Sequence, residues 1–369
     1  MKQFQLLIKP ASFDCNLYCR YCFYLRVSKQ YPSIKHPRMN KNVLETIISK
    51  FLKFRFKESI FGWQGGEPTL MGLDYYKEVV KLQQKYGKSG QVIGNALQTN
   101  GILIDDDWAK FLARYRFLVG LSLDGPKEIH DKYRRSREND SVWRRVIQAA
   151  EILKNHQVNF NILCVLSRAN INRAEDLYNF FLEHGFHHIQ FIPALELNKK
   201  GEIANFCVTP RQYGKFLTEL FDIWIEHPQT MQIRIFNAVL AEILNYEKGF
   251  CALEKQCGNY MVIEWNGDVY PCDFFVKKKY KLGNIEKNSF SELKQRRNNR
   301  FMGLKGNLPK ECQRCKWLEF CYGGCIKDKK NSEKNTKRKT YFCESYKMFF
   351  DKTYERFLQY GKHLKNQGN

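Results

Sequence analysis

The chain has 369 residues, room for two or three domains at ~150 residues each, and its 43% hydrophobic and 15% aromatic content supplies a core that excludes disorder as the main state. No run approaches the ~18 consecutive apolar residues of a membrane span, and the opening MKQFQLLIKPASFDC lacks an apolar signal core, so a cytoplasmic address is expected. The formal charge is +23, but the lysines are spread along the whole chain, as on a solvated surface rather than at a nucleic-acid site.

In chain order, apolar runs predict buried strands at 5–9, 59–63, 92–98, 117–123, 160–166 and 188–194. Amphipathic stretches of helical period lie between most of them, at 41–54, 74–86, 107–115, 141–155 and 173–184, with Asn40 and Asp140 as candidate N-caps. Six strands alternating with helices argue for parallel βα units, too few for a closed eight-stranded barrel. An α/β partial (β/α)6 barrel is therefore expected, its site at the C-terminal strand ends, which read KPASFDC, WQGGEP, LQTNG, SLDGP, LSRAN and FIPALE. After residue 200 the rhythm changes. Helices are expected at 211–226 and 236–248, then a hairpin at 261–275 about Asn266-Gly267, and a closing helix at about 344–364. We divide the chain into a barrel with linker helices, 1–235, and a cysteine-rich domain, 236–369, in which 326–340 reads as a solvated lysine-rich loop.

Thirteen cysteines in a chain without a secretory signal point to metal or catalysis rather than disulfides. Cys15, Cys19 and Cys22 form C-x3-C-x2-C directly after the first strand. Three thiolates on a 4Fe–4S cluster leave one iron open, and an open coordination position marks a catalytic site. The remaining ladder, Cys251, Cys257, Cys272, Cys312, Cys315, Cys321, Cys325 and Cys343, reads C-x5-C-x14-C, a gap of 39, then C-x2-C-x5-C-x3-C-x17-C. Eight cysteines make two sets of four, for two iron–sulfur clusters or two structural zinc ions. Cys164 reads as a small core residue, and Cys207 has no reading.

The motif DCNLYCRYCFY, with Tyr21 before its last cysteine, resembles the radical S-adenosylmethionine (SAM) superfamily. The resemblance implies that SAM binds the open iron and is cleaved to a 5′-deoxyadenosyl radical. By the same resemblance Gly65, Gly66 and Glu67, Ser122, Arg134 and Leu195 map onto SAM-contacting positions, with Glu67 facing the ammonium group and Arg134 the carboxylate. A basic run containing Arg134, Arg135 and Arg137 leaves a surface arginine open as the alternative.

The C-terminal ladder resembles the SPASM domain, a two-cluster extension. The resemblance implies one auxiliary cluster on Cys251, Cys257, Cys272 and Cys325 and another on Cys312, Cys315, Cys321 and Cys343, three 4Fe–4S clusters in all, with electron transfer as the auxiliary role. Taken together, the motifs from about residue 5 to 350 resemble the anaerobic sulfatase-maturating enzymes, which oxidise a cysteine or serine of a sulfatase, in a C/S-x-P/A-x-R motif, to Cα-formylglycine. The implied catalytic base is Asp273, directly after Cys272; an anionic neighbour makes a carboxylate a readier proton acceptor. Tyr24, Gln64 and Gln98 fall on the expected active face, as SAM or peptide contacts or as packing residues. The implied partners are a sulfatase polypeptide and a reductant such as flavodoxin or ferredoxin, acting on a monomer, with no nucleic acid and no membrane. Three alternatives stand beside this reading, one of them a non-enzymatic iron–sulfur carrier or scaffold, against which the three-cysteine site and Gly65-Gly66-Glu67 speak. Another SPASM peptide maturase would often carry an N-terminal recognition domain, for which cysteines beginning at residue 15 leave no room, and an RNA-modifying enzyme would need a basic–aromatic motif that the chain lacks.

Overall fold

The computed structural model describes residues 3–329 and 338–367. The six expected βα strands form within one residue of their predicted ends: β1 (Gln5–Lys9), β2 (Glu58–Trp63), β3 (Val92–Thr99), β4 (Leu118–Ser122), β5 (Phe160–Leu166) and β6 (His188–Pro193). The helices between them are α1 (Lys41–Leu52), α2 (Leu73–Tyr86), α3 (Asp106–Arg114), a short α4 (Lys127–Tyr133) that the sequence reading lacked, α5 (Trp143–Asn155) and α6 (Ala174–Glu183). Beyond them lie α7 (Pro210–Trp224), β7 (Gln232–Ile233), α8 (Arg234–Ile243), the hairpin β8 (Tyr260–Glu264) and β9 (Asp268–Tyr270), β10 (Gly283–Asn284), α9 (Phe290–Arg297) and a C-terminal helix, Cys343–Gln367.

The chain divides into two compact units. The first comprises the described residues through Leu123, with Asp131–Asn161 and Asn259–Phe301. Its strands run in the order β10-β9-β8-β1-β2-β3-β4. β1 is parallel to β2 on one side and to β8 on the other, so Leu6 pairs with both Phe61 and Met261. The predicted hairpin thus belongs to this sheet, and its register sets Glu264 opposite Lys9. Compactness does not follow one cut in the chain.

The core of this unit forms because each helix keeps an apolar stripe. α1 buries Val43, Leu44, Ile47, Ile48, Phe51 and Leu52, at the three- and four-residue spacing of one helix face. The Phe4 ring stands 5.2–5.6 Å from those of Phe51, Phe54, Phe56 and Phe290. Each fully buried side chain of this size contributes about 1.5–3 kcal/mol. Asn40 caps α1 as expected, its Oδ1 accepting from the Val43 N–H at 2.9 Å. Asp140 does not cap α5; it is tied instead to Ser136 at 3.0 and 3.4 Å. Buried Asp131 takes that role from α4, accepting from the N–H groups of Val142 and Trp143 at 3.2 and 3.3 Å. A cap supplied from eleven residues upstream leaves no local sequence signature.

The second unit comprises Asp124–His130, Ile162–Gly258 and the described residues from Met302 onward. β5, β6 and β7 pair in parallel, Cys164 with Phe191 and Ile189 with Ile233. α7 opens on a capping box, Thr209 with Gln212, and has Pro210 in its first turn. The C-terminal helix packs on α7 and α8: the Phe221 and Phe357 rings lie 4.4 Å apart and those of Phe236 and Phe349 5.7 Å. Gly214 permits the crossing, since a Cβ there would stand 3.0 Å from Ser345 Cα. Most of the lysine-rich loop, residues 330–337, lies outside the described residues. Among the described residues no helix is long and apolar enough to cross a membrane.

Candidate active site

β1 delivers the first cysteine loop, and neighbouring loops of the same unit pin it. The N–H groups of Tyr18 and Arg20 donate to the carbonyls of Arg135 and Tyr133 at 2.9 and 3.0 Å. Arg137 donates to the Cys15 carbonyl at 2.8 Å and pairs with Asp14 at 3.1 Å. Asp14 also holds His36 and Arg38, at 3.0 and 2.9 Å. Burial pulls the Asp14 carboxyl up, but those two partners outweigh it and leave it below its ordinary value. Cys22 stands at the head of a 3-10 turn, Phe23–Gln30. Burial first, then Glu67, and then the nearby Cys19 and Cys22 thiols push the Cys15 thiol up. Such a thiol gives up its proton on metal binding. Two donors already face its sulfur, the Leu17 N–H at 3.4 Å and Asn100 Nδ2 at 3.6 Å. The Asn100 amide is fixed in that sense because its Oδ1 accepts from the Ile102 N–H at 3.0 Å.

The Gly-Gly-Glu turn after β2 is built around this loop. Gly65 and Gly66 hold φ of +90° and +49°. A Cβ on Gly65 would lie 2.3 Å from Lys9 Cδ, and one on Gly66 only 1.9 Å from the Asp14 carbonyl oxygen. Gly66→Ala is therefore expected to cost at least ~1–3 kcal/mol in backbone strain and to loosen the cysteine loop. Thermal unfolding and iron retained per chain after reconstitution measure it; wild-type values for both would contradict this packing. Glu67 is fully spoken for: its carboxylate accepts from the Thr69 N–H and hydroxyl, the Thr99 hydroxyl and the Asn100 N–H, at 2.7–3.0 Å. It braces the ends of β2 and β3.

Other sequence-derived positions fall as follows. The Ser122 hydroxyl accepts from Gln98 Nε2 at 3.2 Å. Arg134 is buried, with its guanidinium 5.3 Å from the centre of the Tyr21 ring, which removes the surface-arginine reading. Leu195, half-buried just beyond β6, lies in the second unit.

Beside the cysteine loop, in the same unit, is a buried polar network that the sequence reading missed. Lys9 Nζ donates to Gln64 Oε1 at 2.7 Å and lies 4.7 Å from the Tyr24 ring centre. Glu264 accepts from the Ser12 hydroxyl at 2.5 Å and from the Tyr24 hydroxyl through its other oxygen. Burial pulls the Lys9 ammonium down, while Asp273, Glu264, Cys272 and Cys22, in that order, push it back up. Asp273 is buried and accepts from the Tyr260 hydroxyl at 3.3 Å, next to the Cys272 thiol at 3.5 Å. Tyr24 and Gln64 are thus members of this network. The available signal was that two apolar strands, QLLIK and YMVIE, each close on a charge.

In the second unit, Cys312, Cys315, Cys321 and Cys343 line a single cavity with Trp317 and Tyr346. Burial pushes the Cys321 thiol up to about 11. Lys305 Nζ donates to the Cys251 carbonyl at 2.6 Å, and the Cys257, Cys325 and Cys251 thiols oppose the pull of burial on its ammonium. Among the described residues no three Cys, His, Asp or Glu side chains close to the spacing of a single-ion site. Four thiols around one cavity are the donor set that a 4Fe–4S cluster takes. Cys164 is a buried core residue, its thiol 3.6 Å from the Asp124 carbonyl. Cys207 now has an account: its sulfur accepts from the Glu196 N–H at 3.1 Å and closes the loop after β6.

The geometry agrees with comparisons to known proteins. The radical SAM superfamily model matches residues 10–181, and that of an iron–sulfur cluster-binding domain, SPASM, residues 251–316. The chain is 39% identical to the cysteine-type anaerobic sulfatase-maturating enzyme of Clostridium perfringens, covering 99% of this chain and 100% of that one. It is 35% identical to the serine-type enzyme of Bacteroides thetaiotaomicron, covering 99% and 93%. The solved structure of native anSMEcpe with bound AdoMet and Cp18Cys peptide superimposes with a TM-score of 0.91 at 38% identity, over 98% of this chain and 99% of that one. The fold and cysteine pattern are those of a radical SAM enzyme with a SPASM extension, a class that carries 4Fe–4S clusters and uses SAM. Within that class the chain belongs to the anaerobic sulfatase-maturating enzymes.

Proposed function

We propose that this protein oxidises a cysteine, or a serine, in the C/S-x-P/A-x-R motif of a sulfatase polypeptide to Cα-formylglycine. One observation carries the reading: in a chain similar over its whole length to cysteine-type enzymes, the buried Asp273 carboxylate adjoins Cys272 and accepts from Tyr260. When bound, the cofactors supply the hydrogen-abstracting radical and the one-electron acceptor. The chain supplies the rest. Cys15, Cys19 and Cys22 hold the catalytic iron–sulfur group, and Cys251, Cys257, Cys272 and Cys325, with Cys312, Cys315, Cys321 and Cys343, hold the auxiliary ones. The turn at Gly65 and Gly66, with Tyr21, Ser122, Arg134 and Leu195, receives SAM, Arg134 pairing with its carboxylate. Beyond the hydrogen atom and the electron, the substrate must lose the proton of its thiol or hydroxyl, and Asp273 takes it. Water then replaces sulfur, released as hydrogen sulfide, or is not needed when the substrate is serine. The enzyme works as a cytoplasmic monomer on an unfolded or nascent sulfatase and draws electrons from a flavodoxin or ferredoxin.

The test is anaerobic. The reconstituted, reduced protein is given SAM and a peptide carrying C-x-P-x-R, and peptide mass and 5′-deoxyadenosine are followed together. Formylglycine appearing with the nucleoside is the expected result. Nucleoside with unchanged peptide would move the substrate elsewhere.

A further inference from the structure

We propose that Lys305 is the counter-charge of the auxiliary iron–sulfur group held by Cys251, Cys257 and Cys325, and that its ammonium raises the reduction potential of that group. The proposal rests on the auxiliary-cluster reading above. Lys305 lies in a four-residue turn, Gly303–Gly306, and is fully buried. Lysine is almost never fully buried unless it is paired. Its Nζ donates to the backbone carbonyls of Cys251 and Ala252, at 2.6 and 3.0 Å, so it is fastened to the ligand-bearing loop itself. Burial draws its ammonium down, and the side chains that push it back up are thiols: Cys257, Cys325, Cys251 and Cys321, in that order. A second buried lysine, Lys329, is close enough to repel it, and shares Cys257 and Cys325 as neighbours.

Two ammonium groups do not share an interior beside neutral thiols without a large desolvation cost. Thiolates bearing an anionic iron–sulfur group supply the charge that this arrangement calls for. The sign of the effect follows. Reduction adds negative charge to the group, and a fixed cation in a low-dielectric interior stabilises the reduced form more than the oxidised one. Lys305 therefore makes this auxiliary group the readier electron acceptor, which the oxidation of a substrate carbon radical requires.

The experiment is a redox titration followed by electron paramagnetic resonance, on fully reconstituted wild type and Lys305→Met. Cys257→Ala identifies which signal belongs to the group in question. In Lys305→Met one midpoint is expected to move to lower potential while the others hold, and formylglycine formed per 5′-deoxyadenosine to fall several-fold. Lys305→Arg is expected to recover most of both. Unchanged midpoints at full iron content overturn the proposal. Should Lys305→Met lose iron, Lys305→Gln, which keeps a donor for the Cys251 carbonyl but no charge, carries the same measurement. Loss of iron from both neutral variants with retention in Lys305→Arg supports the counter-charge; loss from all three makes Lys305 structural and overturns it. Wild type that reconstitutes only the first group fails the auxiliary-cluster reading itself, which this design separates from a failure at Lys305.

Discussion

Asp273→Asn protein is expected to bind its full iron and to cleave SAM, yet to form formylglycine roughly 10²–10⁴-fold more slowly, the usual scale for loss of a positioned general base. Asparagine keeps the size of the side chain, and its Oδ1 can still accept from Tyr260, which donates at 3.3 Å in the native chain. What it loses is the capacity to take a proton. The rival acceptor in this network is Glu264, but both of its oxygens are held, by Ser12 and Tyr24, and it is fully buried. Asp273 is less tightly engaged and stands beside Cys272. Product and 5′-deoxyadenosine measured in the same single-turnover reaction decide the matter. Equal product yields from variant and wild type would remove Asp273 as the base; loss of nucleoside as well would make it part of the SAM site.

How much of this was legible depended on range along the chain. The βα strands were legible because each is a short, mostly apolar stretch bounded by polar turns, the signal of a buried strand. The cysteine loop was legible because its ligands lie within eight residues, Cys15 to Cys22. The Asn40 cap, three residues from its partner Val43, was legible for the same reason. The Asp131 cap was not, because its partners Val142 and Trp143 are supplied from beyond a turn. Nor was the Lys9–Glu264 pair, whose members are 255 positions apart and meet only through the parallel register of β1 and β8. Glu67 shows a subtler limit. The glycines read as a point of close backbone approach, which the contact of Gly66 with Asp14 matches, but the identity of a carboxylate does not say whether its oxygens serve a ligand or its own backbone. Here Thr69, Thr99 and Asn100 take them.

The same distinction between local and distant ligands sets the outcome of Cys15→Ala. That protein is expected to lose 5′-deoxyadenosine formation entirely while retaining the iron held by the eight C-terminal cysteines. With only Cys19 and Cys22 left in the loop, two thiolates must replace three, and a cluster so held gives up its fixed orientation toward SAM. Cys15 is also the ligand whose sulfur meets the Leu17 N–H and Asn100. Its removal strands those two donors beside a cavity, so the Gly66–Asp14 contact that depends on this loop loosens with it. The four thiols around the second-unit cavity belong to another compact unit. Iron content and the visible absorption of the anaerobically reconstituted variant, compared with wild type, read the retained clusters. Nucleoside still formed by Cys15→Ala would place the open iron outside this loop, and with it the SAM site argued from Gly65, Gly66 and Arg134.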